Sequence, residues 1–226
     1  TTNKLLAKIA NRVLTAFPGT LTQGEWVGNP VRSEIVALQS PLPSSDRETH
    51  PLRILILGGS LGATKINHQI PLALAAIGNP HGFEVRHQSG RKHLKNTENA
   101  YKNADFKITV EPFITDMARA YKWADVVICR AGALTISELT TVGIGALLIP
   151  FPYAVDDHQT RNGEWLVQHG AAIMIKESDL TTEGLASILN KWLRDRSNLI
   201  SMAINSRRLA KVGAAELVAD ICMETA

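Results

Sequence analysis

Asp125-Val-Val-Ile-Cys129-Arg-Ala-Gly-Ala-Leu-Thr-Ile-Ser-Glu138 reads as an apolar strand that passes through a glycine into a helix bearing Thr135, Ser137 and Glu138. The first N–H groups of such a helix have no partner within it, and the helix dipole favours negative charge there. A turn of this kind is a phosphate site. A carboxylate one turn further in can accept the two hydroxyls of a sugar diol. The stretch therefore predicts a ligand containing phosphate and sugar, most simply a nucleotide.

The same strand-then-helix pattern repeats on both sides of it. Apolar strand candidates lie at Arg53–Leu57, Phe83–His87, Lys107–Val110, Asp125–Ile128, Ala146–Pro150 and Ala171–Ile175. Helical patterns fall between them at roughly 62–78, 92–103, 114–123, 133–142 and 158–169, and two more close the chain at 181–194 and 196–222. Alternation over this length specifies an α/β fold: a Rossmann-like parallel sheet with helices on both faces. Ligands of such sheets bind beyond the carboxyl ends of the strands.

Upstream, Thr2 to Leu14 reads as one helix, with Leu5, Ile9 and Val13 at a spacing of four beside Lys4, Lys8 and Arg12. Its apolar stripe is expected to pack on a domain, with contact to anionic lipid as the alternative. Residues 40–51 are rich in Pro and Ser and read as an exposed loop. The resulting division is 1–39, 40–51 and 52–226. Because the chain opens on Thr1 rather than Met, it is expected to be a piece of something longer.

Composition narrows the class. The 226 residues are 45% hydrophobic and 20% charged, enough to bury a full core. A net charge of +3 with 5% aromatics argues against a nucleic-acid surface. The two cysteines support neither a disulfide framework nor a cysteine metal site, and a reducing cytoplasm fits them.

Three further turns carry chemistry. In Gly58-Gly-Ser-Leu-Gly-Ala63 small residues permit close backbone approach to a ligand, with Ser60 supplying a hydroxyl. The spacing departs from the dinucleotide fingerprint, and the next strand ends His87-Gln-Ser-Gly90 without a ribose-binding acid. A plain tight turn explains these glycines equally well. In Glu111-Pro-Phe-Ile-Thr-Asp-Met117, Pro112 fixes the backbone and Thr115 is the expected helix cap. Phe113 and the Ile114 backbone are then placed to line a flat base-binding slot, unless the segment is only a stapled helix start. In Asp156-Asp-His-Gln-Thr-Arg-Asn162, Gln159 and Asn162 share one helical face and suit neutral sugar hydroxyls. Asp156, Asp157 and His158 offer metal-ligand chemistry, but adjacent side chains point apart. Arg130 is placed to neutralise phosphate, and Glu138 is either the ribose acceptor or an exposed helical charge.

Taken together, Val27-Gly-Asn-Pro-Val-Arg32, Gly58–Ala63, Ala131–Glu138 and Asp156–Asn162 resemble the MurG family. These are two-domain GT-B glycosyltransferases that transfer GlcNAc from UDP-GlcNAc to undecaprenyl-diphosphate-muramoyl-pentapeptide (lipid I), making lipid II for peptidoglycan. The resemblance implies that this chain is the C-terminal, donor-binding half with the preceding connector. It implies backbone groups of Ile114 for the uracil, Glu138 for the ribose, and Ala133, Leu134 and Thr135 for the diphosphate. Ser60 and Arg32 then lie near the diphosphate, while Gln159 and Asn162 face GlcNAc. No cofactor, no obligatory metal and no catalytic residue are expected within the chain, the catalytic base belonging to the other half. Expected location is the inner face of the bacterial cell membrane, as a peripheral cytoplasmic enzyme. Leu61 stands where the family often has Gln. A sugar-nucleotide epimerase and a non-catalytic nucleotide-sugar-binding module are the competing readings.

Overall fold

The computed structural model describes residues 2–38, 50–59, 62–79, 81–154 and 157–224. Its elements in chain order are α1 (Thr2–Leu6), β1 (Leu14–Thr15), β2 (Glu25–Trp26), α2 (Ser33–Val36), β3 (Leu52–Leu57), α3 (Thr64–Ala76), β4 (Phe83–Gln88), α4 (Leu94–Ala100) and β5 (Lys107–Glu111). Then follow α5 (Met117–Trp123), β6 (Val126–Cys129), α6 (Ala133–Val142), β7 (Gly145–Leu148), α7 (His158–Gln168), β8 (Ala172–Met174), α8 (Thr182–Arg194), α9 (Ser197–Arg208) and α10 (Ala214–Glu224).

The six strands from β3 to β8 form one parallel sheet in the order β5-β4-β3-β6-β7-β8. β3 and β6 are central and, Arg53 near the start of β3 apart, apolar, as befits strands covered on both faces. The period of two divides their side chains between two cores. Ile54, Ile56 and Ile128 pack on one face with Ile66, Ile70, Leu185, Leu189 and Met202 of α3, α8 and α9. Leu55, Leu57 and Val127 pack on the other with Ile35, Tyr121, Ile136 and Leu166 of α2, α5, α6 and α7. Gly143 ends α6 in the left-handed conformation at φ 75°, which a glycine adopts without steric cost.

Two helix expectations are corrected. The helix expected over residues 2–14 stops at Leu6, because Leu14 and Thr15 instead pair in parallel with Glu25 and Trp26. That pairing gives the backbone other partners: Glu25 N–H donates to Val13 C=O at 2.8 Å and Val27 N–H to Thr15 C=O at 3.1 Å. Within this chain the apolar stripe is largely uncovered, Leu5 and Ile9 being 67% and 81% exposed. Arg12 leaves the basic row to pair with Glu25 at 2.7 Å. The helix expected over 196–222 divides into α9 and α10, with Gly213 between them at φ 84°, a conformation no helix interior holds.

The rest of the leading segment is anchored to the sheet. Phe17 and Ile35 are buried in the second core, and Phe17 meets Trp165 of α7 edge-on at 5.3 Å between ring centres. The loop expected at 40–51 lies almost wholly outside the described residues. Among those residues no helix is long and apolar enough to cross a membrane.

Candidate functional site

Strand order runs outward from β3 to β5 on one side and from β6 to β8 on the other, so the chain reverses direction between β3 and β6. A crevice opens at the carboxyl ends of the strands at such a point. Leu57 is paired with Cys129, which brings the turns after β3 and β6 out side by side. The turn after β7 leaves beside them.

The turn after β3 rests on a buried polar network. Gly58 N–H donates to Gln88 C=O at 2.9 Å, and a Cβ at Gly58 would stand 2.8 Å from that oxygen. Gly62, at φ 82°, would put a Cβ 2.3 Å from the His93 ring. These glycines are therefore required by close approach as well as by the turn. Ser60, with Leu61, lies outside the described residues. Below the turn, Asn67 Nδ2 donates to Ser89 C=O at 2.8 Å, which leaves its Oδ1 as acceptor for His87 Nε2 at 3.0 Å. His87 Nε2 must then carry the proton, and Nδ1 accepts from the Tyr101 hydroxyl at 3.0 Å. The fully buried imidazole is neutral, its pKa lowered to about 3 by burial.

The segment after β5 folds back over the end of β4. Ile114 N–H donates to the side-chain oxygen of Gln88 at 2.9 Å, so the carbonyl is the group of Ile114 that can still meet a base. Phe113 is exposed beside it. The expected Thr115 cap is corrected: Asp116 caps α5, accepting from Arg119 N–H at 2.8 Å.

The N-cap of α6 is Gly132, which has no side chain to cap it. The N–H groups of Ala133, Leu134 and Thr135 therefore have no intrahelical partner and no capping one. One turn on, Glu138 is buried, not the exposed helical charge that a surface reading allows; its side chain is 8% exposed. Oε1 accepts from Arg32 Nη2 at 3.0 Å and Oε2 accepts from the Tyr121 hydroxyl at 2.9 Å. Burial first, then the Glu138 charge, pushes the Tyr121 phenol well up and the Cys129 thiol up to about 12. Both stay protonated, so the Glu138 carboxylate has a hydroxyl donor beside it and no thiolate.

The N-cap of α7 is Asp157, the one non-glycine residue at positive φ among those described (50°). Such strained positions gather at functional sites. Gln159 Oε1 accepts from Phe151 N–H at 3.0 Å, and Asn162 Nδ2 donates to Ala131 C=O at 3.2 Å. These bonds fix both amide orientations: Gln159 has its NH2 left to offer and Asn162 its oxygen. A sugar hydroxyl can accept from the first and donate to the second. Asp156 lies outside the described residues, and among those described no three His, Cys, Asp or Glu side chains gather as metal ligands.

Arg130, expected to neutralise phosphate, is taken up by protein groups. Its Nη1 donates to the carbonyls of Ile149 and Pro150 at 3.1 and 3.0 Å, its Nη2 pairs with Glu177, and its guanidinium lies 5.5 Å from the Phe151 ring centre. It braces the exit of β7.

Residues 53–221 match the glycosyltransferase family 28 C-terminal domain. The chain belongs to glycosyltransferase family 28. Two curated relatives bear the name UDP-N-acetylglucosamine–N-acetylmuramyl-(pentapeptide) pyrophosphoryl-undecaprenol N-acetylglucosamine transferase. That of Xanthomonas euvesicatoria pv. vesicatoria is 50% identical over 225 residues, covering 100% of this chain and 52% of the relative. That of Marinobacter nauticus is 48% identical over 228 residues, covering 100% of this chain and 63% of the relative. The chain thus spans about half the length of the first of these relatives and less than two thirds of the second. Among solved structures, MurG of Acinetobacter baumannii is similar with a TM-score of 0.85 and 38% identity, over 99% of this chain and 63% of that one.

Within this family 28 domain the sequence-predicted residues take distinct places. Ala133, Leu134, Thr135 and Glu138 share the first turns of α6; Gln159 and Asn162 share the first turns of α7. Arg32 meets Glu138 rather than standing apart from it, and Ile114 is held by Gln88. Three residues escaped sequence reading: Tyr121, Gln88, and Asn29, whose Nδ2 donates to Ser137 Oγ at 3.0 Å. A polar residue ending a strand one place before Ser89-Gly90 was a signal for Gln88. Nothing in the spacing connects Tyr121 to Glu138.

Proposed function

We propose that this chain is the donor-binding half of an inverting N-acetylglucosaminyltransferase that moves GlcNAc from UDP-GlcNAc to lipid I. The observation that carries the reading is Glu138, a buried carboxylate one turn behind three uncapped amides at the reversal of strand order. The uracil meets backbone groups at Ile114, the ribose hydroxyls Glu138, and the diphosphate the amides of Ala133, Leu134 and Thr135 with Arg32 and Ser60 nearby. Gln159 and Asn162 read the GlcNAc beyond. The positive end of α6 stabilises the charge that grows on UDP as its bond to the sugar breaks. Names and identity of the relatives support the same donor and acceptor.

In this reading residues 1–39 end a preceding domain and form the connector, 40–51 are a loop, and 52–226 hold the donor. The acceptor and the base that takes its hydroxyl proton belong to a part of the longer protein outside this chain. The isolated chain therefore turns over little or nothing, and the whole enzyme works as a peripheral protein at the cytoplasmic face of the membrane. No cofactor and no nucleic acid take part. Calorimetry tests the donor assignment: UDP-GlcNAc binds, while UDP-GalNAc and NADH bind at least about tenfold more weakly, one mismatched polar contact being enough for that ratio. Equal binding of the two sugar nucleotides would sink the assignment of Gln159 and Asn162. Efficient GlcNAc transfer to lipid I by the chain alone would overturn the division of labour.

A further inference from the structure

Glu138 has two partners of opposite character. Arg32 is half exposed, comes from the connector, and holds Oε1. Tyr121 is fully buried, comes from α5, and holds Oε2 at 2.9 Å. α5 directly follows the Ile114 segment, and α6 carries the three uncapped amides. The Tyr121 hydroxyl thus links the element beside the base slot to the residue assigned to the ribose. An unclamped carboxylate turns about its last carbon–carbon bond, a broad two-fold torsion. Held on one oxygen from inside the core, it keeps its remaining lone pairs toward the crevice.

We propose that Tyr121 is a positioning residue for ribose recognition: its buried hydroxyl fixes the Glu138 carboxylate so that the outward lone pairs meet the 2′- and 3′-hydroxyls of the nucleotide. The proposal rests on the donor-site reading above. Arg32 is the exchangeable partner of the pair, because its guanidinium reaches solvent and water can replace it. Tyr121 is the permanent one, since a buried phenol without an acceptor is costly.

The test is calorimetric titration of the full chain with UDP and with 2′,3′-dideoxyuridine 5′-diphosphate. For wild type the diol gives tighter binding of UDP. Tyr121→Phe keeps the ring packing and removes the hydroxyl; UDP binding is expected to weaken about ten- to hundredfold, as for loss of one hydrogen bond to a charged group. Binding of the dideoxy analogue stays the same, which a general loosening of the domain would not produce. In a Glu138→Gln background, Tyr121→Phe adds less than about threefold, because coupled residues are not additive. Equal weakening of both ligands, unchanged UDP affinity, or additive losses in the double variant overturn the proposal. A wild-type chain that binds UDP and its dideoxy analogue equally well overturns the ribose assignment itself and the role of Tyr121 with it. If Tyr121→Phe does not fold, wild type labelled with 3-fluorotyrosine gives the answer. Its Tyr121 fluorine resonance shifts on adding UDP and stays put with the dideoxy analogue; the same shift with both contradicts the proposal.

Discussion

Two buried polar clusters flank the reversal of strand order, and they are built differently. On the β4 side, Tyr101, His87, Asn67 and Ser89 form a chain in which each donor has a protein acceptor and the imidazole is neutral. On the β6 side, Tyr121 and Arg32 hold the Glu138 carboxylate, and Arg32 is half exposed. The first is closed on itself, so it supports the Gly58 turn and contributes to stability. The second reaches solvent through Arg32, so in the proposed reading part of its energy is left for a ligand. Side by side, they contrast a network that holds the fold with one proposed to read the ligand.

The largest expected effect tests the closed cluster through pH. Unfolded His87 takes a proton near its ordinary value of 6.5, whereas the folded protein resists until about 3. Stability is therefore complete above pH 6.5 and falls as pH drops through that window, by about 1.4 kcal/mol per unit for this group. Urea unfolding across pH 3 to 7 measures the slope, and His87→Gln should flatten it; an unchanged slope would remove His87 from the explanation. Next comes Asn67→Ala, which strands both the His87 N–H and the Ser89 carbonyl in the core. A loss of about 3 kcal/mol is expected, with UDP affinity of the folded protein within about threefold of wild type. A large affinity loss without a stability loss would place Asn67 on the ligand-reading side.

Smaller effects sharpen the open cluster. Glu138→Gln keeps shape and one acceptor; UDP affinity should fall about thirtyfold while stability moves by less than about 1 kcal/mol. The reverse pattern would make Glu138 a second structural network. Gln159→Glu retains the acceptor that Phe151 N–H needs but loses the outward donor. It should weaken UDP-GlcNAc about tenfold and leave UDP alone unaffected, a contrast that a misfolded α7 could not give.

Legibility in the sequence followed the same division. Strands such as Leu52–Leu57 and Val126–Cys129 were readable because burial on both faces demands a nearly continuous apolar run, interrupted here by Arg53 alone. α6 was readable because its apolar positions face the core and Gly132 and Gly143 delimit it. Residues 2–14 misled, since Leu5 and Ile9 recur at helical spacing yet stay mostly exposed, while Leu14 and Thr15 pair with β2. Tertiary pairing overrode local pattern there. In the site, residue types at turns were visible, but the hydrogen bonds that orient them were not. Tyr121 and Glu138 are 17 positions apart, and only the tertiary fold, in which α2 packs against both α5 and α6, unites them. The polarity of Gln159 and Asn162 likewise depends on Phe151 and Ala131, which no spacing rule connects to them.

A crystal structure of the chain with UDP-GlcNAc tests the donor-site account most directly. The account predicts both ribose hydroxyls within about 3 Å of the Glu138 carboxylate, the diphosphate on the amides of Ala133, Leu134 and Thr135, and GlcNAc between Gln159 and Asn162. A nucleotide bound away from the β3–β6 crevice, or seated there with its ribose against another group, would contradict it.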